Sequence, residues 1–140
     1  MTGMNTRISA VLGVGLALLV GACVAQQQSA LAGPSLSGSW RVTSLVGQTL
    51  PAAAEVTISF AAPNISGKSG CNRYSGSYSQ SAKNLTIGPI AMTRMACPAP
   101  LMDLEAGFST AISAVTRYDM AGETLQLFVG DSLMMQAQRQ

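Results

Sequence analysis

The chain has 140 residues, with 8 basic and 6 acidic side chains and no histidine. That length holds one domain once an export segment is set aside, and the singly scattered basic residues do not form the clustered patch that a nucleic-acid backbone requires. Without histidine the commonest general base and the commonest metal ligand are both missing. Few charges and plentiful Gly, Ser and Ala fit an exported, β-rich domain better than a solvated helical one.

Met1 to Arg7 is polar with one positive charge, Ile8 to Val20 is an apolar run, and Gly21 and Ala22 precede Cys23. This order reads as a secretory signal peptide over residues 1–22, since a spanning helix needs roughly 20 apolar residues. Leu19-Val20-Gly21-Ala22-Cys23 resembles a lipobox, in which cleavage falls before a diacylated cysteine that becomes the new N-terminus. Plain secretion, with cleavage near Ala30-Leu31-Ala32, is the competing reading. The cysteines number three, and assigning Cys23 to lipid leaves Cys71 and Cys97 as a pair. Each buried acyl CH₂ contributes about 0.8 kcal/mol, so several chains on Cys23 would fix the protein to a membrane. Val24 is not the aspartate associated with inner-membrane retention, so the expected place is the outer membrane, facing the periplasm.

Residues 23–37 carry Gln26-Gln27-Gln28, several Ser and Ala, and the Gly33-Pro34 breaker, and read as a flexible, lipid-anchored linker. From there a single domain, 38–140, is expected. Short apolar runs predict strands at Ser39 to Val46, Val56 to Ala61, Ile65 to Ser69, Arg73 to Ser79, Leu85 to Ile90, Thr116 to Met120, Leu125 to Val129 and Leu133 to Ala137. Val56, Ile58 and Phe60 alternate, as do Leu125, Leu127 and Val129, so one face of each strand is apolar. Leu101, Leu104, Phe108, Ile112 and Val115 fall on one stripe of a helix that Pro98 and Pro100 introduce. Asp103 and Glu105, placed in its first turn, suit the positive end of the helix dipole and read as surface or capping residues rather than buried carboxylates. Ala121-Gly122-Glu123 and Gly130-Asp131 mark the turns of a final three-strand meander.

Gly70-Cys71-Asn72-Arg73-Tyr74-Ser75-Gly76-Ser77-Tyr78 and Met92-Thr93-Arg94-Met95-Ala96-Cys97-Pro98 resemble the two signature segments of META-domain proteins, the family of the HslJ lipoproteins. Leu36-Ser37-Gly38-Ser39-Trp40, Glu105-Ala106-Gly107-Phe108 and Leu125-Gln126-Leu127 resemble the family's first strand, part of its helix and a late strand, so the resemblance runs from Leu36 to about Ala137. It implies an α+β fold, an antiparallel sheet curled into an open, barrel-like form with one packed helix. It implies envelope lipoproteins or exported domains associated with heat or antibiotic stress, and no known reaction.

Cys71 and Cys97 admit three readings: a disulfide, a metal pair or a redox couple. A closed metal site needs about four ligands, and redox enzymes usually hold their thiols in Cys-x-x-Cys, whereas an exported chain meets an oxidising compartment. The disulfide is preferred. Asn72 reads as a turn-fixing residue, and Trp40, Tyr74 and Tyr78 as sheet packing rather than a ligand groove. Met92, Met95, Met102, Met120, Met134 and Met135 invite a Cu(I) site, but their spread along the chain favours core filling. Gly67-Lys68-Ser69 lacks the first glycine and the helix of a phosphate-binding loop, and Ser79-Gln80-Ser81-Ala82-Lys83 has Gln80 where a serine–lysine motif needs its serine. The expectation is therefore a monomeric, non-catalytic binding or accessory module without cofactor. Its partner is an envelope protein or a small apolar ligand, and nucleic acid is not among the partners. The alternatives are a carrier holding an apolar ligand inside the open barrel and a hydrolase, which would bring carboxylates or serine and lysine together in a pocket.

Overall fold

The computed structural model describes residues 35–140, and the stretch read as a signal peptide, Cys23 and nearly all of the stretch read as a linker lie outside them. Nine strands and one helix follow in the order β1 (Gly38–Leu45), β2 (Gln48–Thr49), β3 (Thr57–Ala61), β4 (Asn64–Lys68), β5 (Arg73–Ser81), β6 (Asn84–Met92), α1 (Ala99–Ala114), β7 (Arg117–Ala121), β8 (Thr124–Val129) and β9 (Ser132–Arg139). Every strand read from the sequence is present, and α1 lies where the apolar stripe places it. The two-residue β2 and a 3₁₀ turn at Ala52–Ala54 are additions, both largely exposed and without an apolar period to announce them.

All pairings are antiparallel, in the spatial order β2-β1-β3-β4-β5-β6-β7-β8-β9, and β9 returns to pair with β1. The ring closes because β1 divides its length. Gly38–Arg41 face β3 on one edge, while Trp40–Leu45 face Arg139–Met135 of β9 on the other, with a bulge between Val42 and Ser44. A bulge bends its strand and strengthens the local twist, which helps a single strand serve two neighbours. Gln140 N–H donates to Ser39 O at 2.9 Å, and Arg139 lies over the Trp40 ring at 4.2 Å. Such a curled, antiparallel ring with one helix is the α+β architecture that the resemblance implies.

Inward-facing residues fill the ring. Trp40, Ile58, Phe60, Ile65, Leu85, Leu125, Leu127, Met135 and Ala137 are each at most 2% exposed, and α1 adds Phe108, Ala111 and Ile112 to the same core. Phe60 meets Tyr78 edge-on with centroids 5.0 Å apart, and Tyr74 meets Phe108 at 5.2 Å. Leu36, inside the stretch read as linker, is also buried and accepts the Trp40 indole N–H at 2.9 Å. The packed domain thus begins before residue 38.

The ring is weakest between β6 and β7. Only Asn84 and Arg117 stand in register there, flanked by Leu85 N–H to Thr116 O and Tyr118 N–H to Lys83 O, each 3.0 Å. Beyond that corner β6 pairs with β5 alone. Pro89 lies in the part of β6 where the register with β5 shifts, a position that spares the ladder a donor it could not supply. The second edge of Gly88–Met92 is thereby left to the helix side, and the site described next forms along it.

Candidate functional site

The turn from β4 to β5 is built by Ser69, Gly70, Cys71 and Asn72. Ser69 N–H donates to Asn72 O at 2.9 Å, and Gly70 takes φ 102°, a left-handed conformation that favours glycine. Three of these four side chains or backbones are then committed to other segments. Cys71 and Cys97 stand at disulfide distance, with Cα atoms 6.0 Å apart, so the turn reaches the residue just before the Pro98 cap of α1.

Asn72 does more than fix a turn. It is 1% exposed, and its side chain uses its full hydrogen-bonding capacity. Oδ1 accepts from Thr93 Oγ1 at 2.8 Å and Met95 N–H at 2.7 Å, while Nδ2 donates to Met95 O at 3.2 Å and Glu105 Oε1 at 2.9 Å. The segment following β6 is thus clamped onto the β4–β5 turn by one amide.

Glu105 corrects the expectation drawn from the sequence. Because α1 starts at Ala99, Glu105 lies past the first turn, and it is only 7% exposed rather than on the surface. Its Oε2 accepts from Ser69 Oγ at 2.6 Å and from Asn72 N–H at 2.8 Å. Burial pushes its carboxyl up, but the bonds from Ser69 and Asn72 outweigh this and hold it below its ordinary value of 4.5. The signal was present in the sequence: Glu105 is four residues after Leu101 and three before Phe108, which puts it on the apolar stripe. Asp103 remains exposed, as expected.

Above this network an open groove of about 690 Å³ runs between β6 and α1. Met92, Met95 and Met102 line it with Thr93, Arg94 and Ile90, and Asn72 and Glu105 form its floor. Three of the six methionines read as scattered core filler therefore share one concavity, and Met95 is 56% exposed. Met135 is the buried filler that the sequence suggested, and Met120 and Met134 pack against the core in part. Trp40, Tyr74 and Tyr78 are core residues, with the Tyr74 hydroxyl donating to Thr57 O at 2.9 Å.

The convergence that hydrolysis would need is not built in this groove. Ser69 and Glu105 do meet, but Ser69 is fully buried and both carboxylate oxygens are occupied by donors. Lys68 is engaged with Glu55 and Lys83 with Asp119, both pairs at the surface. A ligand carried inside the ring would have to displace Trp40, Phe60 and Phe108 from a packed core.

Among solved structures, the chain is similar to a protein determined by NMR at 27% identity, with a TM-score of 0.59 over 73% of this chain and 88% of that one. A Burkholderia xenovorans protein, also determined by NMR, aligns at 24% identity with a TM-score of 0.62, covering 81% of this chain and 96% of the other. The crystal structure of a DUF4847 family protein from Bacteroides vulgatus shares the fold at 14% identity, with a TM-score of 0.53 over 73% and 92% of the two chains. No curated protein matches it by sequence. The sequence profile of the META domain covers residues 34–140, which takes in the ring, the helix and both halves of the Asn72–Glu105 network, and the chain belongs to the META domain family.

Proposed function

We propose that this chain is an exported lipoprotein, anchored through Cys23, whose META domain is a non-catalytic binding or accessory module of the cell envelope, serving in stress or antibiotic tolerance. One observation carries the reading of the domain: the groove between β6 and α1 is open, but its polar floor is spent on internal hydrogen bonds. A general base needs a free lone pair within reach of substrate. Glu105 spends three of its about four lone pairs on Ser69 and Asn72, which leaves it a weak base, so the groove offers shape and side-chain contact before proton transfer. The rim residues Thr93 to Ala96 are held by Asn72 and by the adjacent Cys71–Cys97 pair, and a rigid rim lowers the ordering cost of binding.

Site-specific photo-cross-linking in intact cells tests this. A photoreactive residue at Met95 should give one discrete adduct with an envelope protein, whereas the same residue at Asp131, in the β8–β9 turn, should not. Equal adducts from both positions, or none from Met95, would remove the groove as the binding face.

A further inference from the structure

We infer that the groove binds a soft monovalent cation, Cu(I) in its chemistry, through the thioethers of Met92, Met95 and Met102. The inference deepens the reading of the groove as a binding face, on which it rests. Three placements support it. Met92 Sδ lies 4.0 Å from Ser69 Oγ and 3.9 Å from Ser109 Oγ, which puts it between the β4–β5 turn and the helix, next to the Glu105 carboxylate that Ser69 bonds. Met102 is three residues before Glu105 and seven before Ser109, so it projects from the same helical face. Met95 is fixed by both its N–H and its C=O to the Asn72 amide, which in turn bonds Glu105. Three methionines from the end of β6, the segment after it and α1 thus line one groove with the Glu105 carboxylate, open to solvent.

The chemistry of the floor selects the charge and softness of the ligand. Glu105 is a buried carboxylate, and its partners Ser69 and Asn72 are neutral donors; among the described residues no Lys or Arg forms an ion pair with it. Buried charges are ordinarily paired or placed beside a metal. Three of its about four lone pairs are spent on Ser69 and Asn72, so it acts as a counter-charge beside the site rather than as a bidentate ligand. Thioethers are weak donors to hard or divalent ions and suit Cu(I). A soft cation suits the sulfur donors, and a single positive charge is the most that Glu105 can offset in a groove that Arg94 also lines.

Ag(I), a closed-shell stand-in that needs no reductant, is the probe. The purified full-length chain, labelled at the methionine methyls, is titrated with Ag(I) in chloride-free buffer. The methyls of Met92, Met95 and Met102 should shift together and saturate at one equivalent, while those of Met120, Met134 and Met135 stay in place. Met95→Leu, at an exposed position, should weaken binding about ten-fold or more, as should Glu105→Gln acting through charge, whereas Met120→Leu should leave it unchanged. Shifts spread over all methionines, absence of saturation, or equal affinity of Met95→Leu and Met120→Leu would overturn the site. Loss of the Ag(I) site leaves the Met95 cross-link to be observed, so the two readings fail separately.

Discussion

Glu105 is the residue around which the two signature segments are organised, and its charge makes it testable. A glutamine at this position has one acceptor oxygen where the carboxylate has two. In Glu105→Gln an amide N–H₂ therefore meets the donors of Ser69 and the Asn72 backbone, or it meets the Asn72 side-chain amide, which keeps only its bond to Met95 O. One such buried mismatch costs about 1–3 kcal/mol, measurable by urea unfolding at neutral pH. The folded carboxyl titrates below its ordinary value of 4.5, so its contribution to stability is complete above that value and is lost as pH falls through the folded one. Wild-type stability should consequently fall more steeply than that of Glu105→Gln as the pH drops below 4.5. Parallel curves would show that the carboxylate's charge is not what the network holds. The helical spacing of Leu101, Glu105 and Phe108 carried this placement; what hid it was the assumption that an acid near a helix start is capping it.

At the level of elements, the Cys71–Cys97 pair joins the β4–β5 turn to the start of α1, two elements that also meet where Ser69 and Asn72 bond Glu105. Replacing both cysteines by Ala should lower stability by about 2–5 kcal/mol, while non-reducing peptide maps of the wild type should show the linked peptides. Free thiols in the wild type, or an unchanged melting temperature in the variant, would refute the staple. Strands were legible wherever one face is buried, as in Ile58 and Phe60 of β3 or Leu125 and Leu127 of β8. The outer ends of β5 and β6 were not. Gln80 pairs with Leu85 and Ser81 with Asn84 across a turn in which Ala82 takes φ 51°, and these polar residues extend the hairpin by backbone pairing alone. Burial writes a pattern into the sequence, whereas a solvated ladder does not. The groove was illegible for a related reason: nothing local relates Met92 to Met102 until β6, the clamped rim and α1 fold together.

For the molecule as a whole, the anchor proposed at Cys23 would decide where the groove is presented. The polar start, the apolar run and Val20-Gly21-Ala22-Cys23 predict a membrane-fraction protein whose intact mass corresponds to a chain beginning at diacylated Cys23. A mature form lacking Cys23, or carrying it unmodified, would remove the anchor and leave the domain's own features standing. The overall architecture was legible through the signature segments more than through periodicity. Alternation finds strands but says nothing of which distant strand each will join. The closure of β1 against β9 is such a pairing. Trp40 finds Arg139, and Leu45 finds Met135, about ninety or more positions along the chain. Pairings of that separation are slow to form, because the loop must be closed before its contacts repay the cost. A nascent chain therefore emerges with its tryptophan strand unable to complete its hydrogen bonds until β9 has been synthesised. The adjacent pairs from β3 to β6 and from β7 to β9 can form as they emerge, so the seam between β1 and β9 is the last part of the ring to close.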